Sequence, residues 1–94
     1  MQAGHIKPIT DGAIAGTGSI DLDGNIFGGF ILNADGTNSA SIEIRINDSA
    51  GEVLVDANST ISEAVFAPFR ATSGRIYYSI SGTGASASLY EWIE

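Results

Sequence analysis

A chain of 94 residues with eleven acids, four cations and a formal net charge of −7 has room for one domain and no second one. It has no cysteine, which excludes disulfides and thiolate metal sites, and Lys7, Arg45, Arg70 and Arg75 are too few and too scattered to displace counterions from a phosphate backbone. No apolar run approaches the roughly 20 residues that span a bilayer, and Met1–Lys7 lacks the apolar segment of a secretory signal, so we expect a soluble chain with neither nucleic-acid nor membrane partners.

Residues 1–25 carry Gly4, Gly12, Gly16, Gly18 and Gly24 among few large side chains, and Pro8 removes an amide donor. This stretch reads as an extended Gly-rich N-terminal arm that orders on a neighbouring subunit, or as an edge strand, with short strands at His5–Ile9 and Ala13–Ile20. Residues 26–94 read as a β-sandwich domain. Phe27–Ala34 is apolar enough for a strand buried on both faces and stops at the turn signal Asn33-Ala34-Asp35-Gly36.

Ile42, Ile44 and Ile46 alternate with Ser41, Glu43, Arg45 and Asn47, the period of a half-buried antiparallel strand. Asp48-Ser49-Ala50-Gly51 then turns the chain into a returning strand, Glu52–Ala57. Between Asn58 and Ser73 the pattern is irregular. Ser59-Thr60-Ile61-Ser62-Glu63 has the shape of a capping box, but Pro68 would stop a helix, so a loop anchored by Phe66 and Phe69 is expected. Strands at Arg75–Ser81 and Ala85–Ile93 follow, joined by Ser81-Gly82-Thr83-Gly84, a hairpin signal. The whole predicts an all-β fold: a small antiparallel β-sandwich, jelly-roll-like, with a Gly-rich N-terminal arm.

No catalytic constellation emerges. His5 is the single histidine, so the many serines and carboxylates lack a positioned base. The acids sit in turns (Asp11, Asp35, Asp48) or on outward strand positions (Glu43), which fits solvation better than a glycosidase pair. Asp21-Leu22-Asp23-Gly24-Asn25 resembles the opening of a calcium loop, but its glycine is misplaced and no glutamate closes a twelve-residue loop. Gly16-Thr17-Gly18 and Gly82-Thr83-Gly84 lead into no helix and are followed by no lysine, so they are turns and not phosphate loops. We therefore expect no enzyme, no cofactor and no metal.

The aromatics carry more information. Alternation puts Tyr78 with Ile76 and Ile80, leaving Tyr77 on the opposite face, and it puts Tyr90 with Trp92. One aromatic set must therefore lie outside the main core, either packed under loops, or at a subunit interface, or as a sugar-stacking platform.

The run Ile26–Asn33, the segment Ser41–Leu54, the crossing segment with Phe66 and Phe69, and Gly74–Ala85 ending in Leu89-Tyr90-Glu91-Trp92 together cover about three-quarters of the chain. In their order they resemble small β-sandwich virion structural proteins of tailed bacteriophages, capsid-decorating (cement) or tail-associated. The resemblance implies a non-enzymatic protein on the particle exterior, soluble in the host cytoplasm before assembly. It also implies a homo-oligomer, with a trimer favoured, that stabilises contacts between subunits of the major capsid protein. Under this reading Ile6, Pro8 and Ile9 of the arm and Tyr77, Tyr90 and Trp92 are the candidate interface residues. The alternative is a tail-tip or fibre-associated module that binds a carbohydrate or receptor, with Tyr77, Tyr90 and Trp92 stacking on a glycan.

Overall fold

A computed structural model of the protein describes residues 4–24, 26–71 and 74–94, and its strands fall into two antiparallel four-stranded sheets packed face to face. In chain order they are β1 (His5–Pro8), β2 (Gly16–Asp21), β3 (Ile26–Asn33), β4 (Ala40–Ile46), β5 (Val53–Ser59), β6 (Glu63–Arg70), β7 (Arg75–Ser81) and β8 (Ser86–Ile93). The first sheet runs β1-β8-β3-β6 and the second β2-β7-β4-β5. The architecture is all-β and sandwich-like, as the alternating pattern predicts.

The core lies between the sheets and is built by the period-two rule. β4 contributes Ala40, Ile42 and Ile44, β7 contributes Ile76 and Ile80, β8 contributes Ala87 and Leu89, and β3 contributes Phe27, Phe30 and Leu32, all buried. Tyr78 packs against this cluster from the same face of β7 as Ile76 and Ile80, as expected from alternation.

The spacing inside β3 is irregular because Gly28 forms a bulge. Phe27 pairs with Glu91 and Gly29 with Tyr90, so Gly28 has no partner of its own on β8. A Cβ on Gly28 would stand 2.8 Å from the backbone carbon of Glu91 and 3.0 Å from the backbone nitrogen of Trp92, and Gly29 has a φ of 141°. Both positions thus exclude side chains.

Three expectations change. The loop read between Asn58 and Ser73 contains the strand β6, paired with β3 on both sides of a register shift at residues 67–68. Pro68 is tolerated there because β6 is an edge strand and Pro68 falls in the register shift, without a partner on β3. The capping-box residues do interact, but in a tight turn: Ser59 Oγ accepts the Ile61 amide at 3.2 Å and donates to Glu63 Oε1 at 3.2 Å.

Second, Ser81–Gly84 does not make a hairpin. β7 pairs with β2 and β4 while β8 pairs with β1 and β3, so the turn carries the chain from one sheet to the other. Gly82 and Gly84 take positive φ there (119° and 73°), and the Ala85 amide closes on the Gly82 carbonyl at 3.2 Å.

Third, β3 is not covered on both faces. Ile31 is 37% exposed, although most of the strand is buried.

The first quarter of the chain supplies one edge strand to each sheet, β1 beside β8 and β2 beside β7. Between them the chain stays attached to β8: the Ile9 amide donates to the Leu89 carbonyl at 3.0 Å, and Ile14 exchanges both backbone hydrogen bonds with Ala87.

Candidate functional site

Side chains that alternate into the core on the inner face of a strand leave their neighbours on the outer face, and on the first sheet that outer set is apolar. β1 presents Ile6 and Pro8, which pair with Trp92 and Tyr90 of β8. Beyond them β3 presents Ile31, and β6 presents Ala64 opposite Ile31 and Phe66 opposite Gly29. The side-chain-free Gly28-Gly29 stretch leaves a depression between these walls. The resulting groove holds about 340 Å3 and is lined by Ile6, Ile31, Ala64, Phe66 and Tyr90 over the glycine floor.

Strands β6 and β8 flank β3, so they stand about 9.6 Å apart, two strand spacings. The rings of Phe66 and Trp92 nonetheless meet edge to face over β3, with centroids 5.5 Å apart and planes at 67°. A Cβ at Gly28 would press on Ile6 Cδ1 at 2.9 Å and on the β8 backbone at Glu91 and Trp92. Gly4 lies against the indole of Trp92, so Trp92 is held between the backbone of the amino end and Phe66. Phe66 itself is 62% exposed and Ile6 40%.

The two outer faces differ in charge. On the second sheet Arg75 pairs with Asp21 (Nε to Oδ1, 2.9 Å) and Arg45 with Glu43 (Nε to Oε1, 2.7 Å), with Tyr77 opposite Arg45 and Ser19. The outer positions of the first sheet are charged only at one end, where Arg70 and Glu94 approach to 3.9 Å. Inside that margin the polar side chains are neutral, and Asn33 Nδ2 donates to Ser86 Oγ at 3.2 Å.

Beneath this face, Glu91 is the one charged side chain among the buried described residues, at 2% exposure. Its Oε1 accepts the amides of Asp23 and Gly24, both at 3.1 Å, and so ties the β2–β3 turn to β8. Lys7 donates to Asp23 at 2.6 Å, and this hydrogen bond and charge, with a smaller contribution from Glu91, hold the Lys7 ammonium above its usual range.

Of the sequence candidates, Ile6, Pro8, Tyr90 and Trp92 come together on the outer face of the first sheet. Ile9 turns inward and packs on the core. Tyr77 lies on the second sheet, on the opposite side of the sandwich, so Tyr77, Tyr90 and Trp92 form no common stacking platform. His5 is exposed on the edge strand β1. In the segment that resembles a calcium loop, Asp21 is engaged by Arg75 and Asp23 by Lys7, while Asn25 lies outside the described residues. Among the described residues no three histidines or carboxylates are placed to hold a metal ion, and no helix is long and apolar enough to cross a membrane.

Sequence reasoning missed Gly28-Gly29, Ile31 and Phe66 as parts of this surface. The legible signal was the pair of glycines inside an apolar strand, which marks a bulge or a close approach. Compared with protein-family models, with curated proteins and with solved structures, the chain matches none.

Proposed function

We propose that this chain is a non-enzymatic structural protein of a bacteriophage particle, a capsid decoration protein that works by surface packing. The observation that carries the reading is the apolar, aromatic outer face of the first sheet, charged only at its Arg70–Glu94 end, in a chain of net charge −7. A contiguous apolar patch on a small acidic domain is costly in isolation and marks a surface that is covered in the working state. Burying the exposed part of Phe66 alone is worth about 2–3 kcal/mol at ~25 cal/mol per Å2.

The sandwich is of jelly-roll type in this reading. Strand orders β1-β8-β3-β6 and β2-β7-β4-β5 support it, because β1/β8, β2/β7, β3/β6 and β4/β5 are each antiparallel partners, as in a ribbon of paired strands rolled on itself. Such eight-stranded folds recur in viral capsid and lectin domains, an analogy at the level of fold. The groove favours the first of those uses. Sugar recognition needs several convergent hydrogen-bonding groups, and Tyr90 is the one lining residue with a polar side-chain atom.

On a capsid, repetition multiplies a modest contact per copy into firm attachment. The test is co-sedimentation with capsids stripped of the protein. Wild type and Tyr77→Asp are expected to bind, and Ile6→Asp and Phe66→Asp to lose binding at least tenfold. Equal binding by all four proteins would end the proposal.

A further inference from the structure

We infer that a second copy of this chain covers the groove, in an isologous contact where the Phe66 ring of each copy enters the groove of the other. This rests on the reading of the first sheet's outer face as a packing surface: in the free protein a second copy covers that face and gives way to the coat subunits on the particle, and three observations select this occupant.

The first is charge. Each copy carries −7, and the outer face of the second sheet presents Asp21, Glu43, Arg45 and Arg75. The outer face of the first sheet lets two acidic copies meet without setting like charges directly against each other, since its charges are confined to the Arg70–Glu94 end.

The second is shape. Phe66, the most exposed aromatic ring of the face, is itself one wall of the 340 Å3 groove, so protrusion and hollow share one surface. A twofold axis needs this arrangement, because one patch must serve both partners at once. A threefold ring joins two different patches, head to tail. The contact is therefore a dimer contact and not the trimer that the family resemblance implies.

The third is area. Four strands about 4.8 Å apart and six residues long make a face of roughly 400 Å2 in projection. Two such faces cover about 800 Å2, with side-chain relief adding to this, against the ~1,200–2,000 Å2 of a stable interface. The dimer is thus a weak one, formed at micromolar chain concentrations.

Sedimentation equilibrium between about 5 and 500 µM chain reads this directly. The expected result is a rise from the 9.7 kDa chain mass towards twice that value, with a blue shift of emission from Trp92, the one tryptophan, as its surroundings dry. Phe66→Asp is expected to stay at 9.7 kDa with an unchanged β-sheet circular dichroism spectrum, and Tyr77→Asp to associate as wild type does. A wild-type protein that stays at one chain mass throughout, a Phe66→Asp variant that associates normally, or a limiting mass of three chains would each overturn the inference.

Its failure is separable from that of the packing reading. A monomeric wild type whose capsid binding is still abolished by Phe66→Asp removes the dimer and leaves the packing surface. Undiminished capsid binding by Phe66→Asp and Ile6→Asp removes the packing surface as well.

Discussion

Glu91 shows how much one residue can hold in a small sandwich. It occupies an inward position of β8, where alternation would place an apolar side chain, and is tolerated because its carboxylate accepts the amides of Asp23 and Gly24. Glu91→Ala removes the acceptor and leaves both amides facing a cavity. Hydrogen bonds to a charged group are worth about 1.5–3 kcal/mol each, so a loss of roughly 3 kcal/mol in urea unfolding is expected, with Glu91→Gln retaining about half of it. A Glu91→Ala midpoint equal to wild type would show that the turn needs no anchor.

Asp35 acts at an exposed turn by the same chemistry. It accepts the amides of Asn38 (2.7 Å) and Thr37 (2.8 Å) and the side-chain amide of Asn38, and these bonds hold its carboxyl below the ordinary 3.8. A lowered folded-state value means that the folded chain releases this proton more readily than the unfolded one. The contribution to stability is therefore complete above the unfolded value and is lost as pH falls through the folded one. Carboxyl titration by NMR is expected to place the Asp35 midpoint below 3.8, and Asp35→Asn is expected to flatten that part of the acid-unfolding curve. A midpoint at or above 3.8 would contradict the hydrogen-bonded turn.

At the scale of elements, β1 connects the amino end to both the core and the surface. It covers the edge of β8, its Ile6 walls the groove, and Ile9 just after it packs on the core. Deleting residues 1–12 would expose the β8 edge as a template for pairing with other chains. The expected outcome is a fall in melting temperature of roughly 10 °C or more, accompanied by aggregation. An unchanged melting temperature would mean that β1 adds nothing to the sandwich.

Strands with strong local patterns were legible in the sequence. Ile42-Glu43-Ile44-Arg45-Ile46 states its period and its inner face without help, and Arg75–Ser81 matches β7 at both ends. β6 was hidden because Pro68 and the Ser59–Glu63 cluster signal breaks, and an edge strand with exposed Ala64 and Phe66 lacks the burial that makes alternation visible. Turn chemistry was legible, but the partner choice was not. Asp48–Gly51 and Ser81–Gly84 look alike as turns, yet the first joins paired strands and the second crosses between sheets. Which strands pair is decided by packing across the whole sandwich, information no short window contains. The groove was half legible for the same reason: Tyr90 and Trp92 share a face by alternation, whereas Phe66 joins them only through the β3–β6 pairing.

At the scale of the molecule, the sandwich sets the Asp21–Arg75 and Glu43–Arg45 pairs on the outer face of the second sheet and Phe66, Tyr90 and Trp92 on the outer face of the first. A net charge of −7 opposes any meeting of two copies, while the face they would share carries little of that charge. Association there should respond to salt in the opposite sense to a contact made of ion pairs. Taking the shortest molecular dimension, 20 Å, as the separation of two stacked copies, point charges of −7 repel by about 10 kcal/mol in unscreened water. Raising ionic strength from about 0.01 to 0.1 M shortens the screening length from ~30 to ~10 Å and cuts the repulsion from about 5 to 1–2 kcal/mol. The apolar contact gains from the same change, since it contains few charges to screen. The dissociation constant is therefore expected to fall at least tenfold over that range. A constant that rises with salt would place the contact on the Arg- and Glu-bearing face of the second sheet.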